Sequence, residues 1–245
     1  MDEEIKTANP LGYQKISKLL RSLAIPAIIA NLVNALYNVV DQIFIGQGIG
    51  YLGNAATNIA FPITTICLAI GLTLGIGGAS NFNLELGKGN PEKSKHTAGT
   101  AASTLIIIGI ILCISIRIFL EPLMISFGAT DKILQYAMEY TGITSYGIPF
   151  LLFSIGVNPL VRADGNARYS MMAIITGAVL NTILDPLFMF VFHWGIAGAA
   201  WATVISQVVS ASLLLIYFPK FKSVKFSLND FIPQVHYLKR IISLG

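Results

Sequence analysis

The chain has 245 residues and a formal net charge of +4, yet only 11% of its residues are charged and 54% are hydrophobic. Soluble domains carry roughly 25% charged residues, so the composition excludes a soluble enzyme and describes a membrane protein. The basic residues fall in the gaps between apolar runs rather than in one patch, which excludes a nucleic-acid partner and points to membrane topology.

The N-terminal segment, 1–17, opens with Asp2, Glu3 and Glu4 and lacks the short apolar core and small-residue site of a cleaved signal peptide. A helix needs about 20 mostly apolar residues to cross a hydrocarbon core of roughly 30 Å. Six stretches qualify, near 18–46, 54–82, 97–120, 133–161, 169–192 and 196–218, so residues 18–218 read as an all-α integral membrane unit. Pro26, Pro62, Pro149, Pro159 and Pro186 fall within these spans; kinks are expected there, with neighbouring helices satisfying the freed backbone groups. Cys67 and Cys113 sit in apolar runs without paired spacing or histidine neighbours, which argues against a disulfide or a metal site. Glu85 and Glu121 read as interfacial, and His96, His193 and His236 lie outside the spans or at their ends.

Orientation follows from lysine and arginine. Lys6, Lys15, Lys18 and Arg21 precede the first span, and Lys88, Lys93 and Lys95 fill the second-to-third gap. Arg162 and Arg168 fill the fourth-to-fifth gap, and Lys220, Lys222, Lys225, Lys239 and Arg240 follow the sixth span. The opposite side holds only Arg117 and Lys132. By the positive-inside rule both termini are cytoplasmic, which an even number of spans requires.

Depth then places the buried polar residues. Asp41, in LYNVVDQIFIG, sits roughly one to two turns below the outer surface on the first span, and Asp185, in LNTILDPLFMF, reaches a similar depth on the fifth. Thr203 lies about two turns into the sixth span, at the same level. Tyr37 and Asn181 each precede an aspartate by four residues and share its helix face, and Asn34 and Asn38 extend the first stripe. An aspartate at mid-span costs roughly 2.5–3.5 kcal/mol on insertion scales. Intramembrane acids therefore usually mark ion or substrate pathways, although a purely structural hydrogen-bonding role stays open for each. An intramembrane aspartyl protease also needs two aspartates sharing a proton, but here the acids stand in Val-Asp-Gln and Leu-Asp-Pro contexts. Leu36, Asp41, Ile43 and Phe44 match Leu180, Asp185, Leu187 and Phe188 at a constant offset, so the first and last hairpins look like an internal repeat.

Four stretches carry a family resemblance: LYNVVDQIFIGQGIGYLGNAA, LGKGNPEKSKHTAG, NPLVRADGNARYSM and LNTILDPLFMFVFHWGIAGAAWATVISQ. Together they resemble the N-terminal half of a prokaryotic multidrug and toxic compound extrusion (MATE) transporter, over about residues 15 to 245. The resemblance implies one six-helix lobe of a two-lobed plasma-membrane antiporter that exports organic cations or other amphipathic toxic compounds in exchange for Na+ or H+, with no other cofactor. It implies a cation site of Asp41, Asn181, Asp185 and Thr203. It also implies a substrate cavity that includes Tyr37 and, more loosely, Asn158, and Asn34 and Asn38 on the first stripe are expected to line it as well. Residues 219–245 then read as a cytoplasmic linker running toward a second lobe, and a missing lobe could come from elsewhere or from a parallel homodimer. An inactive fragment or non-transporting interaction protein is the main alternative; a lipid-linked oligosaccharide flippase would want a more cationic cavity. Two carboxylates held close in low dielectric disfavour double ionisation unless a cation joins them. The neutral oxygens of Asn181 and Thr203 favour Na+ over H+.

Overall fold

The computed structural model describes residues 15–245; most of the expected N-terminal segment, including Asp2, Glu3, Glu4 and Lys6, lies outside the described residues. Within them every regular element is helical. The first three spans are α1 (Ile16–Gly48), α2 (Tyr51–Gly87) and α3 (Pro91–Ile118). A short α4 (Leu120–Ser126) leads into α5 (Asp131–Thr144), which continues through one 3-10 turn into α6 (Ile148–Ala163) to make the fourth span. The fifth is α7 (Ala167–Pro186) with a π-helical turn at Leu187–Val191, the sixth is α8 (Gly195–Tyr217), and α9 (Val235–Leu244) closes the chain.

Among the described residues, the six helices long and apolar enough to cross a membrane coincide with the six expected stretches, each running a few residues further at one or both ends. The reason is physical: apolar content fades at the interface, whereas backbone hydrogen bonding continues into polar turns. At 33 and 37 residues, α1 and α2 extend roughly 50 and 55 Å, well beyond a hydrocarbon core of roughly 30 Å. Tilt and protruding ends absorb the excess.

The core is the α2–α3–α6–α8 cluster, in which Phe82, Leu105, Leu152, Leu160 and Leu214 are fully buried. Small residues set the helix spacing, as in membrane bundles where close van der Waals packing drives association. A Cβ on Gly75 of α2 would lie 2.6 Å from the Gly156 carbonyl oxygen of α6, so the two backbones touch. By contrast α1 is peripheral. It leans on α7, and its buried positions are Pro26, Ala30, Asp41 and Ile45. Ile28, Leu32, Leu36, Val39 and Ile43 face outward and are exposed.

On the face expected to be cytoplasmic, the segment after α8 folds back over the ends of α2 and α3. Asp164, fully buried in the turn between α6 and α7, accepts hydrogen bonds from the backbone N–H groups of Lys222 and Ser223, each at 2.9 Å, and from the Tyr217 hydroxyl at 2.8 Å. Glu85, expected to be interfacial, is buried beneath this segment and bound by Lys88 at 2.9 Å and Arg240 at 3.4 Å. His96 lies 3.2 Å from Asp230 and stacks on Tyr237. A local composition reading misses the pairings of Asp164, of Glu85 with Arg240 and of His96 because those partners are distant in sequence.

Asp164→Ala is expected to cost about 3 kcal/mol by leaving the buried Tyr217 hydroxyl and two backbone N–H donors without their acceptor. Limited trypsin digestion reads the effect directly: cleavage after Lys220, Lys222 and Lys225 should speed up while the six spans stay intact.

Candidate functional site

Asp41 occupies the inward face of α1 and is 8% exposed; Asp185 ends α7 and is fully buried. Pro186 and the π-helical turn follow immediately, with the Phe192 N–H reaching the Leu187 carbonyl at 3.0 Å. Such wide turns are frequent at functional positions, because they re-aim side chains without ending the helix. Here the widened turn begins directly beside the acid.

The two carboxyl groups are electrostatic neighbours across the α1–α7 contact. Asn181, one turn from Asp185, donates from Nδ2 to Asp185 Oδ1 at 3.3 Å and to Thr203 Oγ1 at 3.5 Å. Gln42 donates to Asp41 Oδ2 at 3.4 Å and in turn accepts from Thr57 at 3.1 Å, which ties the site to α2. Three helices thus deliver Asp41, Asn181, Asp185 and Thr203 to one place.

One further feature defines the chemistry. Asp41 Oδ1, Asn181 Oδ1 and Asp185 Oδ2 are buried and have no hydrogen-bond partner among the described residues. Buried polar atoms are almost always satisfied, and an exception asks for an explanation. All three are oxygens, and Thr203 Oγ1 lies beside them. A set of hard oxygen donors with two carboxylates fits a small hard cation or a proton, and offers neither nitrogen nor sulfur to a softer metal.

A cavity of about 240 Å3 adjoins this cluster. Asn34, Tyr37, Asn158, Asn181 and Thr203 line it, against the apolar side chains of Leu68, Leu72, Leu151 and Ile155. Asn158 also clamps α6 to α7, accepting from Ser170 Oγ at 2.6 Å and donating to the Ser170 carbonyl at 3.1 Å. Asn38 lies apart from these residues: it donates to the Asn34 carbonyl at 2.8 Å on an exposed face and borders a separate shallow hollow with Gln42 and Asn54.

Sequence reasoning overlooked Tyr140. It lies beside Thr203 and close to Asp41, Asp185 and Tyr37, so α5 brings a fourth helix to the cluster. A signal was available. Tyr140 is nine residues into the span that starts at Asp131, and Thr203 is eight into the one that starts at Gly195, so both reach the same level. Tyr140→Phe keeps the ring and removes only the hydroxyl; it is expected to weaken cation binding about three- to tenfold, the worth of about one hydrogen bond. A cation titration of the purified lobe measures it.

Among the described residues, six candidate spans and paired acids beside a cavity are the architecture of a multi-pass membrane protein with a buried acidic cluster. The MatE family profile matches residues 26–187. The multidrug export protein MepA of Staphylococcus haemolyticus is 25% identical over 235 residues, which cover 94% of this chain and 51% of MepA. The probable multidrug resistance protein YoeA of Bacillus subtilis is 28% identical over 224 residues, covering 87% of this chain and 48% of YoeA. Among solved structures, an outward-facing multidrug resistance MATE family transporter of the MOP superfamily superposes with a TM-score of 0.85 at 28% identity, over 96% of this chain and 51% of its own.

The chain belongs to the MatE family, whose members are transporters rather than enzymes. It spans about half the length of these relatives and corresponds to their N-terminal lobe.

Proposed function

We propose that this lobe carries the cation site and half of the substrate path of a plasma-membrane antiporter, one that expels organic cations or other amphipathic compounds in exchange for Na+ or H+, with both chain termini in the cytoplasm. The observation that carries the reading is the set of uncommitted oxygens on Asp41, Asn181 and Asp185 beside the cavity. Asp41, Asn181, Asp185 and Thr203 would hold Na+, or Asp41 and Asp185 a single proton. When bound, the cation supplies the positive charge that the carboxylate pair lacks.

The chain's own residues do the rest. With both carboxylates ionised, Asp41 and Asp185 repel across the α1–α7 contact, and α1 has few other buried contacts to hold it. Neutralising the pair lets α1 close on α7, with Pro26 and the Pro186 turn as the places where the helices bend or repack. Asn34 and Tyr37 ride on α1, so closure changes the cavity wall that a substrate touches. A second lobe, from another chain or a parallel second copy, would complete the cavity.

Efflux of a fluorescent organic cation from efflux-deficient cells, with wild type and Asp41→Asn at matched membrane levels, tests the proposal. Efflux that depends on Asp41 and on external Na+ or pH is expected; equal efflux from both proteins at every Na+ concentration and pH would refute it.

A further inference from the structure

The acid pair occupies one end of the cavity, and the other end is basic. Arg162, in the last turn of α6, lines the same cavity and is half-buried, and its guanidinium makes no ion pair or hydrogen bond among the described residues. Its nearest carboxylate in sequence, Asp164, is committed to Tyr217, Lys222 and Ser223. Ser210 and Asn31 line the cavity with Arg162. Seven residues of α8 separate Ser210 from Thr203, so the basic and acidic ends stand roughly 10 Å apart along the helices. The wall between them is apolar on the α2 and α6 sides, with Leu68, Leu72, Leu151 and Ile155, while the α6 and α8 hydroxyls of Ser154 and Ser206 have no hydrogen-bond partner.

A half-buried guanidinium without a partner is costly in an interior, and its planar fork suits carboxylate or phosphate oxygens. We infer that Arg162 forms an anion-recognising subsite, so that the cavity takes amphiphiles bearing a carboxylate or phosphate-type group on an apolar body, and zwitterions alongside simple cations. This rests on the cavity being substrate space, as proposed above, but is independent of cation coupling at Asp41 and Asp185. The anionic group could belong to a diffusible compound or to a lipid headgroup.

The test uses three fluorescent probes on the purified chain: dansyl-6-aminohexanoic acid, its methyl ester, and dansylcadaverine. Acid and ester differ by one negative charge, so their affinity ratio reads the subsite alone. The wild-type chain is expected to bind the acid about tenfold more tightly than the ester, the worth of one charge-assisted pair. The ratio should fall to about one in Arg162→Gln and partly recover in Arg162→Lys, which keeps the charge but loses the fork. Equal binding of acid and ester to wild type, failure of both to bind, or a ratio that survives in Arg162→Gln would each overturn the inference. Measurement in phosphatidylcholine nanodiscs with and without phosphatidylglycerol separates the sources: loss of the preference only with the anionic lipid assigns the subsite to a headgroup, and an unchanged preference assigns it to a diffusible anion. Dansylcadaverine reads the other end. If it binds independently of Asp41 and Asp185 while the acid still depends on Arg162, the cation-site reading fails and this one stands.

Discussion

Asp185→Asn is expected to raise the melting temperature of the lobe in Na+-free alkaline buffer and, in the same protein, to abolish any further rise on adding Na+ or acid. Both effects follow from the geometry. Asp185 is fully buried and faces Asp41 across the α1–α7 contact. Two ionised carboxylates at about 4 Å repel by about 4 kcal/mol at an effective dielectric of 20, and the amide removes that repulsion while keeping the shape. The wild-type lobe should be stabilised by its cation according to mass action, by about 2.7 kcal/mol at a hundred times the dissociation constant; the variant, with one carboxylate fewer, should be flat. Thermal melts across a grid of Na+ concentration and pH measure both quantities. A variant less stable than wild type without cation, or equally responsive to it, would mean that Asp185 is a structural hydrogen-bonding residue.

Gly75→Val is expected to damage the apolar core severely. Even a Cβ at this position meets Gly156 backbone atoms at 2.6, 2.7 and 3.0 Å, and backbone cannot rotate out of the way as a side chain can. Either α2 and α6 separate or the helices distort, and overpacking of this kind costs about 3 kcal/mol or more. The loss should appear as poor recovery of monodisperse protein and a melting temperature many degrees lower. By contrast Gly78→Ala, where a Cβ would meet the Ala101 methyl at 3.0 Å and the movable Leu160 side chain at 3.7 Å, should be tolerated far better. Similar behaviour of the two variants would show that close α2–α6 approach is not what holds this lobe together.

Much of the architecture was readable from the chain because the bilayer imposes one rule: an apolar run long enough to cross must be a helix. The fourth span follows that rule even where Lys132, Glu139 and Thr144 dilute its apolar character: expected at 133–161, it runs from Asp131 to Ala163. The site was partly readable. Asn181 and Asp185 share a face at helical spacing, and Asp41 stood out as an acid among Leu, Val, Ile and Phe. Tyr140 was hidden because tyrosine is ordinary near an interface, and only packing of α5 on α8 brings it to Thr203. In the sequence Arg162 is indistinguishable from a topology signal, because arginines are expected at cytoplasmic span ends; its place in the cavity wall follows from how α6 is turned. The return of 219–245 over Asp164 was unreadable for a similar reason, since the acceptor lies more than fifty residues before the backbone donors that it binds.

Equilibrium uptake of radioactive Na+ by the purified chain, with parallel measurement of proton uptake in Na+-free buffer, is the experiment to perform first, on wild type, Asp41→Asn and Asp185→Asn together. The expected result is saturable binding of one of these cations by wild type and its loss in both single variants, because neither carboxylate makes the site alone. Wild-type binding retained by both variants would contradict a cation site built from Asp41 and Asp185.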